Sequence, residues 1–182
     1  GESDLAFAAG YRAFVIHARA GQLDIDGLER LLYLLRHGAR ATGAQRWNTA
    51  LAHARALRQR GRLADAQSAL AQMRHAFRVR REGARHQQLL IEHSHVAFAL
   101  GDHQQVLDDL QPMAALATGG TRPSAPRFRE ARLLTIRAST AKGDFVAAGA
   151  LIAKALAERG YASDDHVALR TLPGWGMALL GR

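Results

Sequence analysis

Gly61-Arg62-Leu63-Ala64-Asp65-Ala66 and Gly143-Asp144-Phe145-Val146-Ala147-Ala148 share one pattern. Each opens on Gly, continues with a polar and then an apolar residue, and reaches Ala at the sixth place. Each lies between two runs of helical apolar periodicity. A helix that turns back on itself needs a left-handed residue at its end, which Gly supplies at least steric cost. The apolar residue two positions on can pin the turn. Working outward, related glycines stand at Gly21, Gly101 and Gly181, so successive spacings are 40, 40, 42 and 38 residues. A period in this range marks a repeat architecture.

The runs before these glycines predict helices over 5–20, 45–60, 85–100, 127–142 and 166–180. The runs after them predict second helices over 26–41, 64–81, 104–117 and 146–158. Asp26 and Glu29 have capping-box spacing ahead of Leu31-Leu32. Asp164-Asp165 can cap the helix beginning near His166, and Asp108-Asp109 reads as a pair of solvated helix-end charges. Composition agrees with an all-α chain. Apolar residues make up 48% and aromatics 6%; Ala and Leu dominate, and both favour helix over strand. The 182 residues suit a single domain over 1–182. Its units fall at about 5–41, 45–82, 85–118, 127–159 and a partial 166–182. The stretch from Thr118 to Pro126 reads as a loop inside one array. The apolar character of Trp175, Met177 and Leu179-Leu180 predicts a fragment of a longer protein.

The Gly-Asp-Phe-Val-Ala-Ala string at 143–148, with Ala155 seven residues after Ala148, resembles the turn and second helix of a tetratricopeptide repeat. The string at 61–66 matches nearly as well. Gly101-Asp102 keeps the turn but has Val106 at the first Ala position, and Gly21 has Asp26 there. The family's small residue in the first helix corresponds to Ala54, Ser94 and Gly174, but also to Phe14 and Ile136. Units near 40 residues are similar to the long variants in bacterial regulators of the MalT and LuxR type. The resemblance implies a right-handed α-solenoid of antiparallel helix pairs, with the first helix of each pair lining a concave groove.

Six residues before each glycine stand Val15, Arg55, His95, Arg137 and Trp175. In the family this position tends to face the groove, so the resemblance implies a ladder of Arg55, His95 and Arg137, which Arg58 can join. It also implies apolar contact from Tyr11, Leu51, Ile91 and Leu133. Guanidinium groups suit carboxylates, so the expected ligand is an acidic protein or peptide. A second cluster is the basic block running from Arg55 through Arg74, Arg78, Arg80 and Arg81 to Arg85, which holds nine Arg against Asp65 and Glu82. It could face nucleic acid, but only Phe77 is close enough to stack on a base. The net charge is +9, and a GC-rich bacterial genome accounts equally for the bias of 23 Arg to two Lys.

Other chemistry finds little support. The chain has no Cys, which removes disulfides, thiolate zinc sites and cysteine nucleophiles. His93 and His95 are two apart and point to different helix faces, so no metal site is expected. His53 and His93 are repeat-equivalent, which suggests packing between units. No phosphate-binding glycine loop, Gly-x-Ser-x-Gly or His-Glu-x-x-His occurs, so no enzyme activity and no cofactor are expected. No apolar run is long enough to insert into a membrane. The expectation is a bacterial binding scaffold, cytoplasmic with the periplasm as alternative. The competing reading is the sensing domain of a transcription activator with a small-molecule effector. Nucleic-acid binding through the basic block ranks behind both.

Overall fold

The computed structural model describes residues 1–20, 23–77, 83–118 and 126–157. All regular structure among them is α-helical: α1 (Glu2–Arg19), α2 (Ile25–Arg36), α3 (Gly43–Gln59), α4 (Leu63–Ala76), α5 (Ala84–Ala99), α6 (His103–Thr118), α7 (Pro126–Ala141) and α8 (Phe145–Ala157). The helix expected over 166–180, with the turns at Gly21 and Gly181, lies outside the described residues. The chain forms two compact units, Gly1–Val79 and Arg80–Arg182.

Three turns repeat one geometry. Gly61, Gly101 and Gly143 have φ of 75°, 81° and 81°. After α3, the Arg62 amide donates to the Leu57 carbonyl at 2.9 Å and the Gly61 amide to Arg58 at 3.0 Å. The amides of Asp102 and Gly101 bond Ala97 and Phe98 in the same way, and those of Asp144 and Gly143 bond Ser139 and Thr140. These are paired Schellman bonds, which satisfy carbonyls that the helix end leaves open. The residue after Gly then starts the next helix. Asp102 Oδ1 accepts from the Gln105 amide and Asp144 Oδ1 from the Ala147 amide, both at 3.0 Å. One Gly-Asp pair therefore closes one helix and caps the next.

The second helices bury one stripe, at positions 5, 9 and 12 after the glycine. In α4 it is Ala66, Leu70 and Met73; in α6, Val106, Leu110 and Met113; in α8, Ala148, Ile152 and Ala155. The spacing i, i+4, i+7 is one face of a helix. In the first pair this register breaks. Asp26 and Tyr33 hold the equivalent positions and are exposed, while Ile25, Leu28 and Leu31 are buried instead. The expected capping box at Asp26 is likewise corrected. Asp24 is the cap, its carboxylate accepting from the amides of Asp26 and Gly27, so the cap lies two residues earlier and the helix begins at Ile25. Helix α2 ends at Arg36 rather than near 41, because Gly38 takes φ 94° and the Ala39 amide bonds the Leu34 carbonyl. The reciprocal box occurs between Thr42 and Gln45 at the start of α3.

In the first unit α2 packs on α1 and α3, and α3 packs on α4. Phe7, Leu31 and Ala39 form the core between α1 and α2, with Tyr11 and Phe14 against it. In the second unit α5 packs on α6 and α7, α6 on α7, and α7 on α8. Its main core joins residues such as Leu90, Leu110, Met113, Phe128 and Leu134.

Candidate functional site

In the first helices, neighbouring positions are divided between core and surface. Seven residues before the glycine, Ala54, Ser94 and Ile136 are buried. One residue on, Arg55 and His95 are half-buried and Arg137 is exposed. A step of about 100° along a helix accounts for this division. Arg55 lies in the first unit; His95 and Arg137 lie in the second. His95 is engaged within its unit, its Nε2 lying 2.8 Å from Glu130 Oε1 on α7. Arg58 is half-buried one turn beyond Arg55.

The apolar candidates sit deeper than a contact surface requires. Leu51 and Ile91 are buried because they share a helix stripe with Ala54 and Ser94, and so belong to the core. Leu133 is half-buried against the Ile136 and Ile152 cluster. Tyr11 stacks on Phe7 with ring centroids 5.7 Å apart, and its hydroxyl accepts from Asn48 Nδ2 at 3.3 Å. Of the basic block, Arg74 and Arg85 are exposed, while Arg78, Arg80 and Arg81 lie outside the described residues.

Histidine–carboxylate pairs link helices in both units. His93 Nδ1 on α5 lies 2.5 Å from Asp109 Oδ2 on α6, and Gln105 Nε2 donates to the other Asp109 oxygen at 2.9 Å. Asp109 is therefore a largely buried partner and not a solvated helix-end charge, because the α5–α6 packing brings His93 over it. His53 on α3 lies 3.6 Å from Glu29 on α2, beyond hydrogen-bond reach. Burial pushes the His53 imidazole below its ordinary value. The Glu29 carboxylate opposes that fall, and Arg62 and Arg36 add to it. Among the described residues, no three His, Asp or Glu side chains gather as a metal would require.

One concavity lies wholly within the first unit. It is a cleft of about 500 Å³ over α3, with α2 on one side and α4 on the other. Leu57 and Met73 form its buried floor; Leu32, Leu35, Ala50 and Phe77 give half-buried apolar walls. Arg36, Arg46, Arg62 and His53 line it, against the single carboxylate of Asp65. Arg62 Nε donates to Asp65 Oδ2 at 2.8 Å, and its Nη1 lies 3.6 Å from Glu29. Among the described residues, Arg46 reaches the carbonyls of Ala41 and Ala39, at 3.4 and 3.5 Å. Among the described residues neither Arg36 nor Arg46 pairs with a carboxylate. The residues of this cleft occupy ordinary amphipathic positions in three helices, so no local sequence signal marks them.

No helix among the described residues is long and apolar enough to cross a membrane. Compared with protein-family models, curated proteins and solved structures, the chain matches none.

Proposed function

We propose that the chain is a tetratricopeptide-like repeat module that binds an acidic protein segment and catalyses no reaction. Support for the repeat comes from the three identical Gly turns and from the common buried stripe of α4, α6 and α8. In the second unit α5 packs on α7 as well as on α6, as stacked helix pairs require. The observation that carries the acidic preference is the register position six before each of the three glycines. It is half-buried at Arg55 and His95 and exposed at Arg137, and each time it bears Arg or His. A solenoid of antiparallel pairs, extended over the whole chain, is part of the proposal.

The test is capture from lysate of the source organism, with and without nuclease, comparing wild type with Arg55→Glu/Arg137→Glu. The reading expects an acidic protein held by the wild type and released in the double variant. Equal capture by both forms removes the role of these positions, and capture abolished by nuclease replaces the reading with nucleic-acid binding.

A further inference from the structure

The cleft of the first unit has a length, a floor and a charge pattern that together select a ligand. Its α4 side runs through Asp65, Ser68, Ala69, Gln72, Met73 and Ala76, with Met73 reaching down to the floor. That is one unbroken helical stripe of about 16 Å, at 1.5 Å per residue. The small side chains of Ser68, Ala69 and Ala76, with Ala50 on α3, keep the cleft shallow enough for a close backbone approach. Its shape is thus an open furrow along a helix and not an enclosed chamber. The two ends differ in charge. At one end Arg62 is already held by Asp65 and Glu29, with His53 beside them. At the other, Trp47 meets Phe77 edge to face at 5.3 Å. Arg46 adjoins that contact in sequence, and like Arg36 it lacks a carboxylate partner among the described residues.

From these features we infer that the cleft docks an amphipathic helix of a partner protein, its apolar face on Leu32, Leu35, Met73 and Phe77 and its acidic residues against Arg36 and Arg46. Helix-in-groove recognition uses such a furrow, with anchors at i, i+3 or i+4, and i+7. Desolvated guanidinium–carboxylate pairs would fix the direction in which the helix lies. This inference rests on the acidic-partner reading but places the contact on α2, α3 and α4, apart from the register positions of Arg55 and Arg137.

The test uses the full chain and a fluorescein-labelled 14-residue helical peptide, with Leu at the anchor spacing and Glu at one end, read by anisotropy. A matched peptide has Lys for Glu, and a third carries a central Pro. The variants are Arg36→Glu/Arg46→Glu and Ser68→Tyr, the latter an exposed wall position whose ring would occupy the furrow. Circular dichroism and thermal unfolding check that both remain folded. The acidic peptide should bind the wild type and weaken about tenfold or more with either variant. The Lys peptide should prefer Arg36→Glu/Arg46→Glu, and the Pro peptide should fail throughout. Wild type that ignores the acidic peptide, or that binds it equally in both variants, overturns the cleft as the site. Decanoate binding without peptide binding also overturns it, in favour of a small-molecule pocket. Should Arg55→Glu/Arg137→Glu abolish binding while the cleft variants do not, the acidic-partner reading stands and the cleft assignment falls. Should neither set of variants matter, both fall.

Discussion

His53 sits where burial and charge oppose each other. Its imidazole is half-buried on α3, near Glu29 but not hydrogen-bonded to it. Burial dominates and holds its value below the ordinary 6.5, with Arg62 and Arg36 acting in the same direction and Glu29 against it. The unfolded chain therefore takes up a proton here before the folded chain does. The resulting contribution to stability is complete above about pH 6.5 and is lost as pH falls through the lower folded value. Chemical denaturation at pH 7.5 and pH 5 should show wild type losing more stability on acidification than His53→Gln. Gly101 gives a second prediction at this scale. Its φ of 81° is left-handed, and a methyl group there would meet nothing within 4 Å. The cost of Gly101→Ala is therefore conformational, about 1–2 kcal/mol. For a chain of this size, thermal unfolding should fall by about 2–4 °C for each kcal/mol.

At the scale of elements, the Gly-Asp junctions separate turn from cap. Asp144→Ala keeps the left-handed Gly143 but removes the acceptor for the Ala147 amide. It should cost about 1 kcal/mol, measurable by urea denaturation. Helix α6 carries the opposite imbalance, an exposed Pro112 in its interior. Pro there removes one helical hydrogen bond and crowds the preceding turn, while stiffening the unfolded chain. Pro112→Ala should stabilise by about 1–2 kcal/mol, and a lower unfolding midpoint would show that α6 depends on its Pro. These elements were legible because Gly and apolar periodicity are local signals. Helices α3 to α8 begin within a residue or two of the predicted positions. The first pair was less legible. Its stripe is displaced to Ile25, Leu28 and Leu31, Asp24 outcompetes Asp26 as the cap, and Gly38 ends α2 early. Asp24 and Asp26 offer the same cap chemistry, and burial of Ile25 and Leu28 favours the earlier one.

For the whole molecule, the least legible features were those that need two or three helices at once. The His93–Asp109 pair spans 16 residues of sequence and exists only because α5 and α6 pack in one register. The furrow of the first unit exists because α2 and α4 flank α3 without filling the space above it. Net charge was legible immediately, at +9, but its meaning was not. Salt dependence can separate the two meanings. A nucleic acid held along the block from Arg55 to Arg85 would release a counterion for each phosphate neutralised. With six or more contacts, affinity would fall about 10³-fold or more between 50 and 200 mM salt. A helix held by apolar anchors and the two guanidiniums of Arg36 and Arg46 has few charges to screen, and its affinity should fall only about tenfold over the same range. Parallel titrations of the acidic peptide and a short duplex DNA at both salt concentrations measure this. The peptide should show the shallow slope and remain bound at 200 mM, where the duplex is released. A steep slope for the peptide would mean that diffuse attraction to an Arg-rich surface holds it, and the furrow would then contribute nothing to its recognition.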